Sequence, residues 1–201
     1  MTRGNRVLLS LAATALVLGG AIGATALLDP WKRSDSLAPP LGTPFRLTSD
    51  EGRPILDTDL RGKPTAMFFG FTFCPEVCPT TLAELVGLMG ELSPDAERLN
   101  VVFVSVDPER DTPEILHTYL SAFDDRIRGI TGEPDPVRAM VKSYGIYFKR
   151  VPTEDGGYTM DHTAAILLLD AAGGFVGTIA YEEGHDTALT KLRRLDSRTV
   201  S

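Results

Sequence analysis

Cysteine and histidine are scarce in this chain of 201 residues, which has two cysteines, Cys74 and Cys78, and three histidines. Two cysteines are too few for a framework of several disulfides and for a zinc site made of cysteines alone. Only three residues separate them along the chain. Any chemistry of the thiols is therefore that of one close pair.

Clusters of positive charge are also lacking. The 20 lysine and arginine residues are outnumbered by 27 acidic residues, so the formal net charge is −7. Proteins that bind DNA or RNA contact the phosphates with basic patches, and this chain has none in its sequence. No nucleic acid is therefore expected among its partners. The proportions of 43% hydrophobic and 23% charged residues are typical of a globular protein.

The longest uncharged apolar stretch lies near the N-terminus. Arg3 and Arg6 precede the 22 residues of Val7–Leu28, none of which is charged. As a helix this stretch would measure about 33 Å, enough to cross the hydrocarbon core of a bilayer. The small residues at Ala24–Ala26 leave a cleaved signal peptide as the alternative. The length of the stretch favours an uncleaved anchor.

The charges around this stretch predict its orientation. Arg3 and Arg6 favour an N-terminus held in the cytoplasm, which places the rest of the chain on the far side of the membrane. We expect a single-pass protein of the bacterial inner membrane, with its soluble domain facing the periplasm. Residues 1–28 would form the transmembrane anchor or signal segment, and residues 29–43 a linker.

Strand-like and helix-like segments alternate over residues 44–197. Thr65–Phe71 and Val101–Val106 are nearly continuous apolar runs, as in buried central strands. Thr112 and Pro113 are typical of a helix start. The order of segments predicts an α/β class, a thioredoxin-like domain with a central mixed β-sheet flanked by helices. Further predicted elements are a helix after the cysteines, helices over Pro136–Tyr144 and Thr187–Leu195, and a hairpin of Ala164–Leu169 with Phe175–Ala180.

The two cysteines lie in the segment FTFCPEVCPTT, Phe71–Thr81. Pro79 suits the first turn of a helix because it has no N–H, and it disfavours helical geometry at Cys78. We therefore expect Cys74–Cys78 to form a tight loop before the helix and not to lie within it. The N–H groups and dipole at a helix start lower the pKa of a nearby thiol.

Two thiolates and one imidazole form a donor set that copper prefers and that zinc also accepts. His162 lies directly before the predicted strand Ala164–Leu169, in the loop that enters this strand, and in a thioredoxin-like sheet that loop lies next to the cysteine loop. Asp161 is a candidate for orienting its ring. A merely structural His162 and a structural disulfide stay open at this point. His117 and His185 are expected to have no part in the site.

Several segments resemble the SCO/SenC family, the copper chaperones of cytochrome oxidase assembly. They are Asp59–Pro64 (DLRGKP), Phe68–Thr81 (FFGFTFCPEVCPTT), Ser105–Pro113 (SVDPERDTP) and Gly156–His162 (GGYTMDH), and the resemblance extends over roughly residues 44–195. It implies a membrane-tethered domain that binds one copper ion, as Cu(I) or Cu(II), through Cys74, Cys78 and His162.

The same resemblance implies the task and the partners. Copper would be delivered to the dinuclear copper centre of cytochrome c oxidase subunit II, and an upstream copper donor or thiol reductant would supply the chain. Cys74 and Cys78 would form a disulfide when oxidised. The pair could not then hold copper through thiolates.

Two enzymatic alternatives use the same thiols. A thiol–disulfide oxidoreductase would keep the copper-ligand cysteines of the target reduced. A peroxidase is suggested by the FTF and CPT triplets, which resemble parts of the peroxiredoxin active-site segment. That family has threonine three residues before its reactive cysteine, whereas Pro75 stands there relative to Cys78. This argues against the peroxidase.

The segment Ser105–Pro113 has two interpretations. Asp107, Arg110 and Asp111 would either line the site or form the end of a strand and the cap of a helix. The second interpretation is favoured because Thr112 and Pro113 follow directly.

Overall fold

The structure is a computed structural model that describes residues 41–92 and 95–197. The predicted anchor, residues 1–28, and residues 29–40 of the predicted linker lie outside this part of the chain. Among the described residues, no helix combines the length and the apolar character that a membrane span requires.

Nine strands and four helices make up the described domain, which confirms the predicted α/β class. The strands are β1 (Arg46–Ser49), β2 (Pro54–Leu56), β3 (Thr65–Gly70), β4 (Asn100–Ser105), β5 (Ile127–Thr131), β6 (Phe148–Pro152), β7 (Tyr158–His162), β8 (Ile166–Leu169) and β9 (Phe175–Ile179). The helices are α1 (Val77–Leu92), α2 (Pro113–Ser121), α3 (Pro134–Ser143) and α4 (His185–Ser197). Short 3-10 turns cover Asp57–Leu60 and Asp95–Arg98.

Seven strands form a mixed sheet in the order β2-β1-β5-β4-β3-β8-β9. β3, β4 and β5 are parallel, whereas β8 runs antiparallel to β3 and β1 antiparallel to β5. All six residues of β3 are buried, because the strand has a neighbour on each side and lies within the hydrophobic core. The chain leaves this interior strand at Gly70 and enters the segment that carries both cysteines.

The predicted helix starts agree with the structure to within two residues. Thr112 caps α2, its hydroxyl accepting a hydrogen bond from the Ile115 N–H (3.4 Å), and Pro113 takes the first helical position. α3 begins at Pro134, two residues before the predicted Pro136, since prolines at both positions fall in the first turn and break no intrahelical bond.

β6 and β7 form a separate two-stranded sheet, in which Phe148 pairs with His162 and Pro152 with Tyr158. Our prediction placed His162 in a loop before the following strand, and this is wrong: His162 is the last residue of β7. The sequence did not predict this hairpin, because β6 (FKRVP) carries two charges and a proline and is not fully buried at any position. Its apolar signal is therefore weak.

Candidate metal centre

The cysteines lie where β3 gives way to α1. A turn in which the Cys74 N–H donates to the Phe71 carbonyl (3.2 Å) brings Cys74 to the start of the helix. α1 begins at Val77, so Cys78 is its second residue and not part of a preceding loop as predicted. Pro79 tolerates this, because N–H groups of the first helical turn have no partner within the helix.

The two thiols differ in burial and in charge. Cys78 is fully buried, whereas Cys74 is partly accessible. The Cys78 thiol holds the pKa of Cys74 at about 4, far below the ordinary 9.0, by hydrogen bonding. The Cys78 N–H, whose nitrogen lies 3.4 Å from the Cys74 sulfur, lowers the pKa of Cys74 further. The His162 side chain also lowers it. The hydrogen bond with Cys74 and burial raise the pKa of Cys78. The negative charge of the pair is therefore favoured on Cys74 and the proton on Cys78.

His162 reaches the thiols from the end of β7. Its Nε2 lies 3.5 Å from the Cys78 Sγ, and its Nδ1 lies 3.0 Å from the Thr163 carbonyl oxygen. Because a carbonyl only accepts, Nδ1 donates to Thr163, and Nε2 is the ring nitrogen that faces the sulfurs. Asp161, our candidate for orienting the ring, is exposed. The Thr163 carbonyl makes the orienting contact instead.

Cys74, Cys78 and His162 thus come together at one point. Their ligand atoms all lie within 4.8 Å of one another, and no other cluster of three His, Cys, Asp or Glu ligands occurs in the described part of the chain. Bonds of about 2.0 Å to nitrogen and 2.3 Å to sulfur place the ligands of one ion roughly 4 Å apart. The group is therefore close to the size that a single ion requires. Its soft donors suit Cu(I) and also accept zinc.

The other two histidines lie elsewhere, as predicted. His117 on α2 contacts Asp50 (Nδ1–Oδ2 3.0 Å), and His185 at the start of α4 contacts Glu91 (Nε2–Oε1 2.7 Å). Both imidazoles are more than half exposed. Neither belongs to the three-ligand group.

The segment between β4 and α2 supports the site, a role that our favoured interpretation missed. Asp111 is fully buried and accepts hydrogen bonds from the Thr72 N–H (3.2 Å), the Thr72 hydroxyl (2.6 Å) and the Ser105 hydroxyl (2.6 Å). Thr112 alone caps the helix, so a capping role for Asp111 is wrong. Burial raises the pKa of Asp111. The resemblance of Ser105–Pro113 to the corresponding segment of the SCO/SenC family was the sequence signal that could have indicated this supporting role.

Comparison with known proteins identifies the family. The model of the SCO1/SenC family matches residues 33–196. Protein SCO2 of Saccharomyces cerevisiae mitochondria is 37% identical over 158 residues, which cover 76% of this chain and 52% of that protein. The human mitochondrial SCO1 homologue is 36% identical over 144 residues, covering 69% and 47%. The chain belongs to the SCO1/SenC family, and it spans about half the length of the curated relatives it matches.

Solved structures agree with this assignment. The copper-bound structure of Bradyrhizobium japonicum ScoI is 45% identical and superposes with a TM-score of 0.72, covering 77% of this chain and 99% of that one. Copper-bound yeast Sco1 is 34% identical, with a TM-score of 0.71 and coverage of 78% and 88%. The predicted thioredoxin-like fold and the resemblance to the family are both confirmed.

Proposed function

We propose that this chain is a copper chaperone that holds one copper ion through the sulfurs of Cys74 and Cys78 and the Nε2 atom of His162. The observation that carries the proposal is the convergence of these three ligand atoms within 4.8 Å from two separate elements. Copper is the cargo, and its acceptor would be the dinuclear centre of cytochrome c oxidase subunit II. The copper-bound ScoI and Sco1 relatives support this choice of metal.

The uneven exposure of the two sulfurs suits transfer of the ion. An acceptor thiolate can approach from the side of the partly accessible Cys74, while Cys78 and His162 still hold the copper. Ligands then exchange one at a time, and a Cu(I) ion changes hands without any change of oxidation state. Loading displaces the proton of the Cys78 thiol, so Cu(I) binding is accompanied by proton release.

The same proposal extends to the cellular location. Residues 1–28 would anchor the chain as a single span in the bacterial inner membrane, residues 29–43 would act as linker, and residues 44–197 would form the domain in the periplasm. The uncharged stretch Val7–Leu28 behind Arg3 and Arg6 supports this arrangement.

A competition titration tests the proposal. The full chain, purified in detergent and reduced without oxygen, would be titrated with Cu(I) against a chromogenic chelator. We expect one tightly bound equivalent, lost in the Cys74→Ser/Cys78→Ser variant. Copper transfer to the isolated copper domain of an oxidase subunit II would then be followed optically. Reduced wild-type protein that takes no Cu(I) from the chelator contradicts the proposal.

Thiol–disulfide exchange is the second candidate, favoured by the lowered pKa of Cys74 beside a second thiol. The Cys74 thiolate would attack a target disulfide and form a mixed disulfide, releasing one target thiolate. Cys78, on losing its proton, would attack Cys74 and release the other. The target gains two electrons, the Cys74–Cys78 pair becomes a disulfide, and a thiol reductant must restore it.

Substitution of the histidine separates the two functions. His162→Ala removes one copper ligand but leaves both thiols. If exchange is the main activity, reduction of a disulfide-containing target peptide in copper-free buffer should largely survive this change. A chaperone should instead lose copper affinity.

A further inference from the structure

The two halves of the metal centre belong to different sheets. Cys74 and Cys78 follow β3, an interior strand of the seven-stranded sheet, whereas His162 ends β7 in the separate hairpin. No single ladder of backbone hydrogen bonds therefore fixes the distance between the sulfurs and the imidazole. Side-chain contacts between the hairpin and the cysteine segment must contribute to it.

Arg110, in the segment between β4 and α2, touches both halves. Its guanidinium carbon lies 3.8 Å from the centre of the Tyr158 ring and 4.7 Å from that of Phe73, and its Nη1 donates to the Tyr158 carbonyl (3.0 Å). Tyr158 is the first residue of the strand that ends at His162. Phe73 directly precedes Cys74.

A second line of contacts leads from Arg110 to the imidazole itself. The guanidinium also lies 5.8 Å from the centre of the Phe71 ring. The Phe71 ring in turn meets the His162 ring at 90°, with 5.8 Å between the ring centres. Arg110 therefore supports the aromatic ring against which the proposed copper ligand packs.

The arginine is itself held in place. Its Nε donates to Asp107, which is buried and also accepts a hydrogen bond from the Tyr158 hydroxyl (2.9 Å). Only 23% of the Arg110 side chain is exposed. Cation–π contacts and charge-assisted hydrogen bonds are stronger in such partly desolvated surroundings than at an open surface.

We infer that Arg110 is a positioning residue for the metal centre, tying the β6–β7 hairpin to the cysteine segment and so setting the distance from the imidazole to the two sulfurs. The inference rests on the proposed function. Arg110 does not belong to the three-ligand group, and the inference therefore predicts that its effect on copper requires the imidazole of His162.

A double-mutant cycle tests this dependence. Cu(I) affinity would be measured for the full-length wild type, Arg110→Gln, His162→Ala and the combined variant. Loss of a residue that orients a metal ligand costs about tenfold in affinity. We expect this loss when Arg110→Gln is made in the wild type and none when it is made in His162→Ala. An equal loss in both backgrounds overturns the inference, because a general effect on folding would persist without the imidazole.

Two further variants complete the design. Arg110→Lys keeps the charge but loses the planar group that stacks on the rings, so its affinity should fall between wild type and Arg110→Gln. Arg126→Gln removes an arginine whose ion pair with Asp124 (2.7 Å) lies apart from the metal centre. It should bind Cu(I) as wild type does.

A readout without metal separates this inference from the proposed function. In reduced, copper-free protein labelled at histidine and phenylalanine, the rings of His162 and Phe71 should give a nuclear Overhauser effect. We expect it to weaken in Arg110→Gln and persist in Arg126→Gln. An unchanged signal in Arg110→Gln overturns the positioning role. Wild type that shows the signal but binds no Cu(I) would instead refute the proposed function.

Discussion

The cysteine half and the histidine half of the metal centre are built in opposite ways. β3, which leads to the cysteines, is buried at all six positions and has a strand on either side. Within the described residues, β7, which carries His162, pairs with β6 alone and is fully buried at none of its positions. Two ligands are thus fixed by a local turn at the end of the core. The third depends on contacts between residues far apart in the chain, and so offers the easier point at which to tune the site.

The largest expected effect is a difference in reactivity between the two thiols of the cysteine half. Because the pKa of Cys74 is about 4 and that of Cys78 is raised, Cys74 should be alkylated by iodoacetamide at pH 6 while Cys78 stays unmodified. At that pH an ordinary thiol with a pKa of 9.0 is only about 0.1% thiolate. Mass spectrometry of the reduced, metal-free protein over pH 3–9 would measure both sites.

The lowered pKa of Cys74 determines how its alkylation rate should depend on pH. The Cys74 rate should stay high from pH 9 downward and fall only as the pH drops through about 4, where the thiolate gains its proton. A midpoint near 9.0, or equal labelling of both thiols, would contradict the assignment of the charge to Cys74.

The next effect concerns the support of the cysteine half by Asp111. Asp111→Ala leaves the Thr72 N–H, the Thr72 hydroxyl and the Ser105 hydroxyl without their buried acceptor. We expect the free energy of unfolding in urea to fall by about 1–3 kcal/mol. Asp135→Ala is the control, since that carboxylate is 96% exposed and its ion pair with Arg138 contributes little. Equal losses in the two variants would refute a structural role for Asp111.

A pair of glycines probes how tightly Cys78 is packed. A Cβ at Gly70 would lie 2.8 Å from the Cys78 sulfur and 2.9 Å from the Phe103 ring, so Gly70→Ala should cost about 1–3 kcal/mol and weaken Cu(I) binding. Gly87, on α1, has open space at the same position. Gly87→Ala should stabilise the helix by up to about 1 kcal/mol. Thermal unfolding and copper titration of both variants would show whether the crowding is specific to Gly70.

The same contrast explains what could be predicted from the sequence. β3 and β4 stand out as apolar runs, and Thr112 with Pro113 marks a helix start, because these signals are local. The β6–β7 hairpin has no such signal. Its charged residues are held by distant partners, as in the ion pair of Arg150 with Glu109 (2.8 Å). The strand and helix on either side of the cysteines were therefore predictable from local sequence, although the helical position of Cys78 was not, and the hairpin that carries His162 had no such signal.

The smallest expected effects come from the histidines outside the site. His117→Gln and His185→Gln each remove an imidazole that is more than half exposed and that pairs with one carboxylate, Asp50 or Glu91, so each should change the free energy of unfolding by less than about 1 kcal/mol. Neither should alter Cu(I) affinity, whereas His162→Gln should weaken it about tenfold or more. The same substitution at all three positions keeps the chemical change constant. A loss at His117 or His185 as large as that at His162 would show that the imidazole ligand has been assigned to the wrong residue.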